Sequence, residues 1–339
     1  MVVAPLSHSF GFDGHLTTPS GGRLPEDSYA RFVETSPDAT TDEIRERWER
    51  DGYLYVKGLL RPENVRALRT KFFEETAHLG ILEPGTDPND AIFAKSPDAV
   101  ETYLHPGSLR PGKVSYDAEK SQKYFEACVA AQRSEWFHKF QTQPEMTDFI
   151  KRLTGWDELH LLKRQLLRAA MPQGDTTIIH YDQLYFRHGP PKFVTCWAPL
   201  QDTSPDMGGL MYLSDSASIG EDMERNFNAR AQHMSDTERK SAFNANMMAR
   251  GAISNDAGQF AKELNRKWLM ADFKEGDVVF HNPFLIHGAC VNTTDRVMIH
   301  TDTRYVNPAD GFDKRWTVYW DPNNDVTDPV LNKPEATIA

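Results

Sequence analysis

Cysteine is scarce in this chain: its 339 residues include three, Cys128, Cys196 and Cys290, with no close pair. That argues against a disulfide framework and against a zinc–thiolate site, and it fits a reducing compartment. Long apolar runs are missing as well. No stretch approaches the roughly 20 apolar residues that a bilayer-spanning helix needs. The first residues lack the charged-then-apolar pattern of a secretory leader, and the last three, Thr337-Ile338-Ala339, are not the usual peroxisomal tripeptide. Basic runs are absent and the net charge is −11, whereas nucleic-acid binding usually shows a basic patch. These absences leave a cytoplasmic enzyme for a small organic molecule, with no nucleic-acid and no membrane partner. The charged fraction of 26% and the apolar fraction of 39% are ordinary for a globular chain. Such a chain can bury a core without staples.

Along the chain, residues 1–40 are rich in Pro, Gly, Ser and His and read as an irregular arm. Thr40 and Glu43 have the spacing of a capping box, with Ile44 and Trp48 on one face of the helix that follows. Tyr53 to Lys57 is a strand candidate. Pro62 suits a first helical turn, and Val65, Leu68 and Phe72 form an apolar stripe after it. Residues 84–115 read as a long loop, and 117–140 and 145–154 as helices. From about residue 160 the pattern changes to short β-type runs at Thr176–His180, Lys192–Trp197, Gly209–Leu213, Asp277–Phe280, Phe284–His287 and Arg296–Tyr305. A helical insert over about 216–270 interrupts them and reads as a lid or a homodimer arm. Helices first and strands later predict an α+β fold with a jelly-roll, cupin-like sheet sandwich. The expected division is the arm, one domain over 41–320, and a tail over 321–339.

The chemistry sits in Ile178-Ile179-His180-Tyr181-Asp182. Residues i and i+2 of a strand share a face, so His180 and Asp182 present an imidazole and a carboxylate side by side. A histidine from a later strand would complete a facial triad, which leaves positions on iron(II) open for oxygen activation. His287 is the candidate, after an apolar run and before Gly288. His281 competes, but it precedes Asn282-Pro283 and reads as outside the ladder. His188 precedes Gly189-Pro190-Pro191 and reads as loop. An isolated histidine is more often a satisfied core or surface side chain, and the shared context is what favours His180 and His287. A co-substrate with a distal carboxylate needs a permanently charged fork. On the run beginning at Arg296, alternation puts Arg296, Met298 and His300 on one face, so Arg296 is expected to point into the metal cavity. Its rival reading is a surface ion pair with Asp295.

With these residues in view, the chain resembles the phytanoyl-CoA dioxygenase family. The resemblance rests on WERDGYLYVKGLL at 48–60, HYD at 180–182, Trp197, GGLMYL at 208–213, GDVVF at 276–280 and HGACVNTTDR at 287–296, in order over residues 45–305. It implies a double-stranded β-helix, iron(II) held by His180, Asp182 and His287, and 2-oxoglutarate converted to succinate and carbon dioxide. It places Arg296 in the region of the co-substrate arginine. Two departures stand out. Many members carry that arginine two residues on, where this chain has Met298, and Ser214-Asp215-Ser216-Ala217 replaces a common Pro-Gly-Ser-His turn. In related halogenases a small residue replaces the carboxylate, so Asp182 implies hydroxylation, desaturation or rearrangement instead.

Further candidates are Thr195, Arg168 and Gln165 for the co-substrate, each with core packing or a strand-edge position as the plainer reading. Tyr181, Tyr185, Arg187 and Trp197 are candidates for a substrate wall, although a solvated loop position is the favoured reading for Arg187. The expected cofactor set is Fe(II) with 2-oxoglutarate, and ascorbate as an optional reductant. The composition is similar to fungal tailoring oxygenases that act on aromatic polyketides. The alternative from another class is a non-oxidative cupin-like metal-binding protein or isomerase.

Overall fold

The computed structural model describes residues 10, 15–18, 21–95, 118–174, 176–235, 238, 252–254 and 256–319. Among the described residues, two short strands precede the first α-helix, β1 (Tyr29–Arg31) and β2 (Glu34–Thr35). The part of the arm they occupy is therefore not irregular. β1 runs parallel to β8 (Trp268–Met270), and β2 runs parallel to β3 (Tyr53–Val56). Helix α1 (Thr41–Asp51) starts at Thr40, whose hydroxyl accepts from the Glu43 N–H. It ends at Gly52 in the left-handed region, where the φ is 73°. Helix α2 (Pro62–Thr76) opens on its proline. The run expected as one helix over 117–140 is two, α3 (Ala118–Gln132) and α4 (Glu135–Gln141). Ser134 divides them, because its hydroxyl caps the second by accepting from the Phe137 N–H. Helix α5 (Pro144–Thr154) follows. Of the expected loop over 84–115, residues 96–115 lie outside the described set.

The remaining strands are β4 (His160–Leu161), β5 (Leu166–Ala170), β6 (Phe193–Pro199), β7 (Leu210–Leu213), β9 (Val278–His281), β10 (His287–Ala289) and β11 (Met298–Val306). They form a major sheet ordered β2-β3-β9-β6-β11-β4, with β5 also paired to β11, and a minor sheet ordered β1-β8-β7-β10. This is the double-stranded β-helix. The insert contributes α6 (Ala217–Ala231), α7 (Ala257–Glu263) and β8. Among the described residues no helix is long and apolar enough to cross a membrane.

Alternation sorts each strand into two faces. On the major sheet Leu54, Val56, Leu167, Ala169, Cys196 and Phe280 face the helices and join one apolar core with Leu68, Phe72 and Phe149. The opposite face meets the minor sheet through Phe32, Tyr53, Tyr55, Trp197, Tyr212 and Phe273. The outer face of the minor sheet carries Met211, Leu213 and Trp268, and the insert covers them with Ala257 and Ala261. One free, buried cysteine sits in each of three places: Cys128 in α3, Cys196 in the major sheet and Cys290 just past β10.

Helix α6 lies against the segment leading into β10. Gly220 faces the Phe284 carbonyl so closely that a Cβ there would run into the carbonyl oxygen. Gly220→Ala should therefore cost about 1–3 kcal/mol, as overpacking does, read as a lower urea midpoint with an unchanged denaturant slope. A midpoint equal to that of the unmodified chain would show that the helix can shift freely.

Candidate metal centre

His180 and His287 are held by backbone pairing. Each donates its N–H to the other's carbonyl, at 2.9 and 2.8 Å, in an antiparallel bridge. The two side chains then share a face, and their ring centroids lie 4.2 Å apart. The expected strands around them are shorter than the sequence pattern suggests. The 176–180 run forms bridges at Ile179 and His180, and β10 begins only at His287. Tyr181 is extended, and the chain then tightens into a 3-10 turn over Asp182–Leu184. That turn aims Asp182 back toward the histidines. Asp182 Oδ1 is 3.5 Å from His180 Nε2 and 3.7 Å from His287 Nε2. The three side chains are all buried and present their donor atoms within 4.8 Å of one another.

The donor chemistry suits a divalent cation. His180 Nδ1 lies 2.8 Å from the Ile178 carbonyl and His287 Nδ1 lies 2.9 Å from the Leu285 carbonyl. A carbonyl only accepts, so each Nδ1 carries the proton and each Nε2 offers a lone pair to the centre. Burial, with His180 and His281 nearby, pushes His287 well below the ordinary imidazole range and keeps it neutral. Burial alone would raise the Asp182 carboxyl, but the Arg304 guanidinium and the surrounding imidazoles hold it well below the usual carboxylate range. The result is an anion faced by imidazole lone pairs, a concentration of electron density that a cation relieves.

Two further neighbours stand at the centre: Arg304, which no sequence pattern singles out, and His281, which the sequence places outside the ladder. Arg304 reaches Asp182 through Nε at 3.2 Å and Nη2 at 3.0 and 3.1 Å, and it also holds Asp302 at 3.0 Å. His281 is in the ladder after all, opposite Tyr53 and Thr195. Its Nε2 lies 3.9 Å from Asp182 Oδ2, and the Asn282 turn begins only after it. Thr195 donates its hydroxyl to Asp182 Oδ2 at 2.5 Å. Oδ2 thus accepts from Thr195 and from both Arg304 nitrogens, while Oδ1 faces the two histidines and accepts from Arg304 Nη2 as well.

The other expected site residues divide. Trp197 lies on the interior face, 5.5 Å from the His300 ring, and Tyr185 meets His180 edge-on at 5.3 Å. Arg168 stands opposite His300 across the β5–β11 pair. Gln165 turns to the backbone, accepting from the Arg304 N–H at 2.8 Å and donating to the Leu162 carbonyl. Tyr181 and Arg187 face away from the centre and meet Glu224. Arg187 is accordingly a partly buried residue whose side chain is drawn into an ion pair, and not a solvated one. Arg296 does not enter the cavity, because it precedes the start of β11 and is exposed. Arg304 occupies the same strand face eight positions on.

A family model described as Phytanoyl-CoA dioxygenase (PhyH) matches residues 48–298. Among solved structures, EctD from S. alaskensis in its apoform is similar at a TM-score of 0.51 and 14% identity, covering 87% of this chain and 86% of that one. That likeness shows a shared fold. The non-heme alpha ketoglutarate dependent epimerase SnoN from nogalamycin biosynthesis aligns at a TM-score of 0.49 and 17% identity, covering 79% of this chain and 83% of that one. No curated protein sequence matches.

The interior makes a pH prediction through His300. Burial, reinforced by the Arg168 cation, pushes its imidazole down to about 3 from the ordinary 6.5. Between those values the unfolded chain binds a proton that the folded chain refuses, so stability falls as pH drops below 6.5. By pH 5 the loss from this group is about 2 kcal/mol. Metal-free protein should melt lower at pH 5 than at pH 7.5, and His300→Gln should shrink that difference. An unchanged difference in the variant would assign the acid sensitivity elsewhere.

Proposed function

The chain belongs to the phytanoyl-CoA dioxygenase family of iron- and 2-oxoglutarate-dependent enzymes, and on that premise we propose that it oxidises a small, ring-bearing organic molecule at iron held by His180, Asp182 and His287. The observation that carries this reading is the donor set: two Nε2 lone pairs and one carboxylate oxygen converge from one face, with both Nδ1 protons spent on backbone carbonyls. When bound, the iron supplies oxygen activation coupled to decarboxylation of 2-oxoglutarate to succinate and carbon dioxide. The chain's own residues supply position. Thr195 and Arg304 hold Asp182 Oδ2, and Arg304 Nη2 also reaches Oδ1, so the carboxylate is kept from rotating while Oδ1 stays turned toward His180 and His287 as the ligand atom. Tyr185 and Trp197 give the interior an aromatic wall suited to a flat substrate. The carboxylate at Asp182 favours hydroxylation or rearrangement over halogenation.

The distal carboxylate of 2-oxoglutarate needs a cation. Arg304 sits against Asp182 at the metal end of the cavity, and Arg296 is exposed. Arg168, with His300 beside it, is the proposed seat. In its support, Arg168 lies close enough to depress the His300 imidazole, and His300 Nδ1 is buried with no hydrogen-bond partner among the described residues.

Protein loaded with Fe(II) should form succinate from 2-oxoglutarate. His180→Ala, Asp182→Ala and His287→Ala should each remove both the activity and the bound iron, since a facial triad has no spare ligand. Full iron content in His287→Ala would pass its place to His281. For the co-substrate, Arg168→Leu should raise the KM for 2-oxoglutarate by roughly one to two orders of magnitude, with Arg296→Leu close to the unmodified chain. The opposite ranking would restore Arg296.

A further inference from the structure

The ligand-bearing strand is fastened from behind by a buried carboxylate that the chemistry above does not use. The extended backbone sends His180 inward and Tyr181 outward, and the 3-10 turn that follows aims Asp182 inward. The Tyr181 hydroxyl donates to Glu224 Oε2 at 3.0 Å. Glu224 belongs to α6 and is 6% exposed. The same carboxylate takes a fork from Arg187, with Nε at 2.9 and 3.0 Å and Nη2 at 2.9 Å, and the guanidinium lies over the Phe227 ring at 3.6 Å. Tyr181 and Arg187 flank the 3-10 turn that aims Asp182. Closing the two ends of that turn onto one carboxylate leaves little freedom in between.

The grip extends to the third donor. Ser216, just before α6, accepts the Ile286 N–H on its hydroxyl at 3.0 Å, and Gly220 rests on the Phe284 carbonyl. One helix of the insert thus restrains the residue between His180 and Asp182 and also the residue before His287. The return of the insert adds a bridge between Ser254 and Ile179, on the other side of His180.

We propose that Glu224 is a positioning residue for the metal centre. Through Tyr181 and Arg187 it fixes the spacing of the His180 and Asp182 donor atoms, so the insert sets metal affinity as well as covering the sheet. This rests on the metal reading of the triad. Partners that orient metal ligands from outside typically change affinity by about 10–100-fold when they are removed.

The test is Co(II) binding to the metal-free full chain, followed by calorimetry and by the visible absorption of the bound ion. The unmodified chain should bind and His180→Ala should not, which checks the triad by itself. Glu224→Gln, which keeps the shape and loses the charge, should raise the Co(II) Kd about tenfold and alter the absorption band. Tyr181→Phe should do the same more weakly. In the Tyr181→Phe background the further effect of Glu224→Gln should shrink, because the two act through one contact. The double variant Arg187→Met with Glu224→Met removes the charges together and guards against a single variant that fails to fold. It should melt near the unmodified chain and still bind Co(II) more weakly. If instead the Kd stays within twofold in all these variants while only the melting temperature moves, Glu224 is a stabilising residue alone and the proposal fails. Co(II) binding lost in His180→Ala yet unmoved in the Glu224 variants would overturn the positioning role and leave the triad reading intact.

Discussion

Asp182 is a fully buried anion, and the surrounding structure answers that charge. A carboxylate removed from water is tolerated only when it is paired and hydrogen-bonded. Arg304 supplies the pairing, Thr195 supplies a hydrogen bond, and three imidazoles turn their Nε2 atoms toward it. Arg304 is in turn shared with Asp302, so the positive charge is spread over two carboxylates. Burial works against that guanidinium, but the two carboxylates outweigh it and keep the arginine charged. The jelly-roll interior therefore holds a compact charge system in a wall that is otherwise aromatic. Removing any one member would leave a neighbour buried without its counterpart.

The layers around this charge divide the labour. The helices before residue 155 cover the outside of the major sheet and give it stiffness through Phe72, Phe149 and Phe280, the last two stacked at 5.0 Å. The minor sheet, with fewer and shorter strands, carries His287 directly and His180 by a bridge. It is the thinner wall, and the insert backs it with α6 and α7. The segment that covers the minor sheet also braces the residues next to the metal donors.

Much of this was legible in the sequence because alternation is a local property. The pairing of His180 with Asp182, the inward aspect of Thr195 and Trp197, and the long β11 run follow from residues two apart. What alternation does not give is height along the strand. Arg296 and Arg304 share a face, yet only the second lies level with Asp182, and that level is set by pairing Arg304 with Thr195 on β6. The same limit explains His281. The Asn282-Pro283 signal marked a turn correctly, but the ladder runs one residue further than the signal implied, since Tyr53 and Thr195 both pair there. Glu224 left no trace at all. In α6 it is one acidic residue among several, and only the placement of Tyr181 and Arg187 beneath it makes it a buried one. The two short strands in the arm were hidden for a related reason. Each exists by pairing with a partner distant in the chain, and neither has a pattern of its own.

The three free cysteines have a practical consequence. Burial raises all three thiols, Cys128 and Cys290 to about 12, so none offers a reactive thiolate while the fold is closed. Each stands in a different layer: the helices, the major sheet, and the minor sheet beneath the insert. The molecule therefore carries its own set of opening reporters. The order in which an alkylating reagent marks the three positions reads out which layer of the fold parts first.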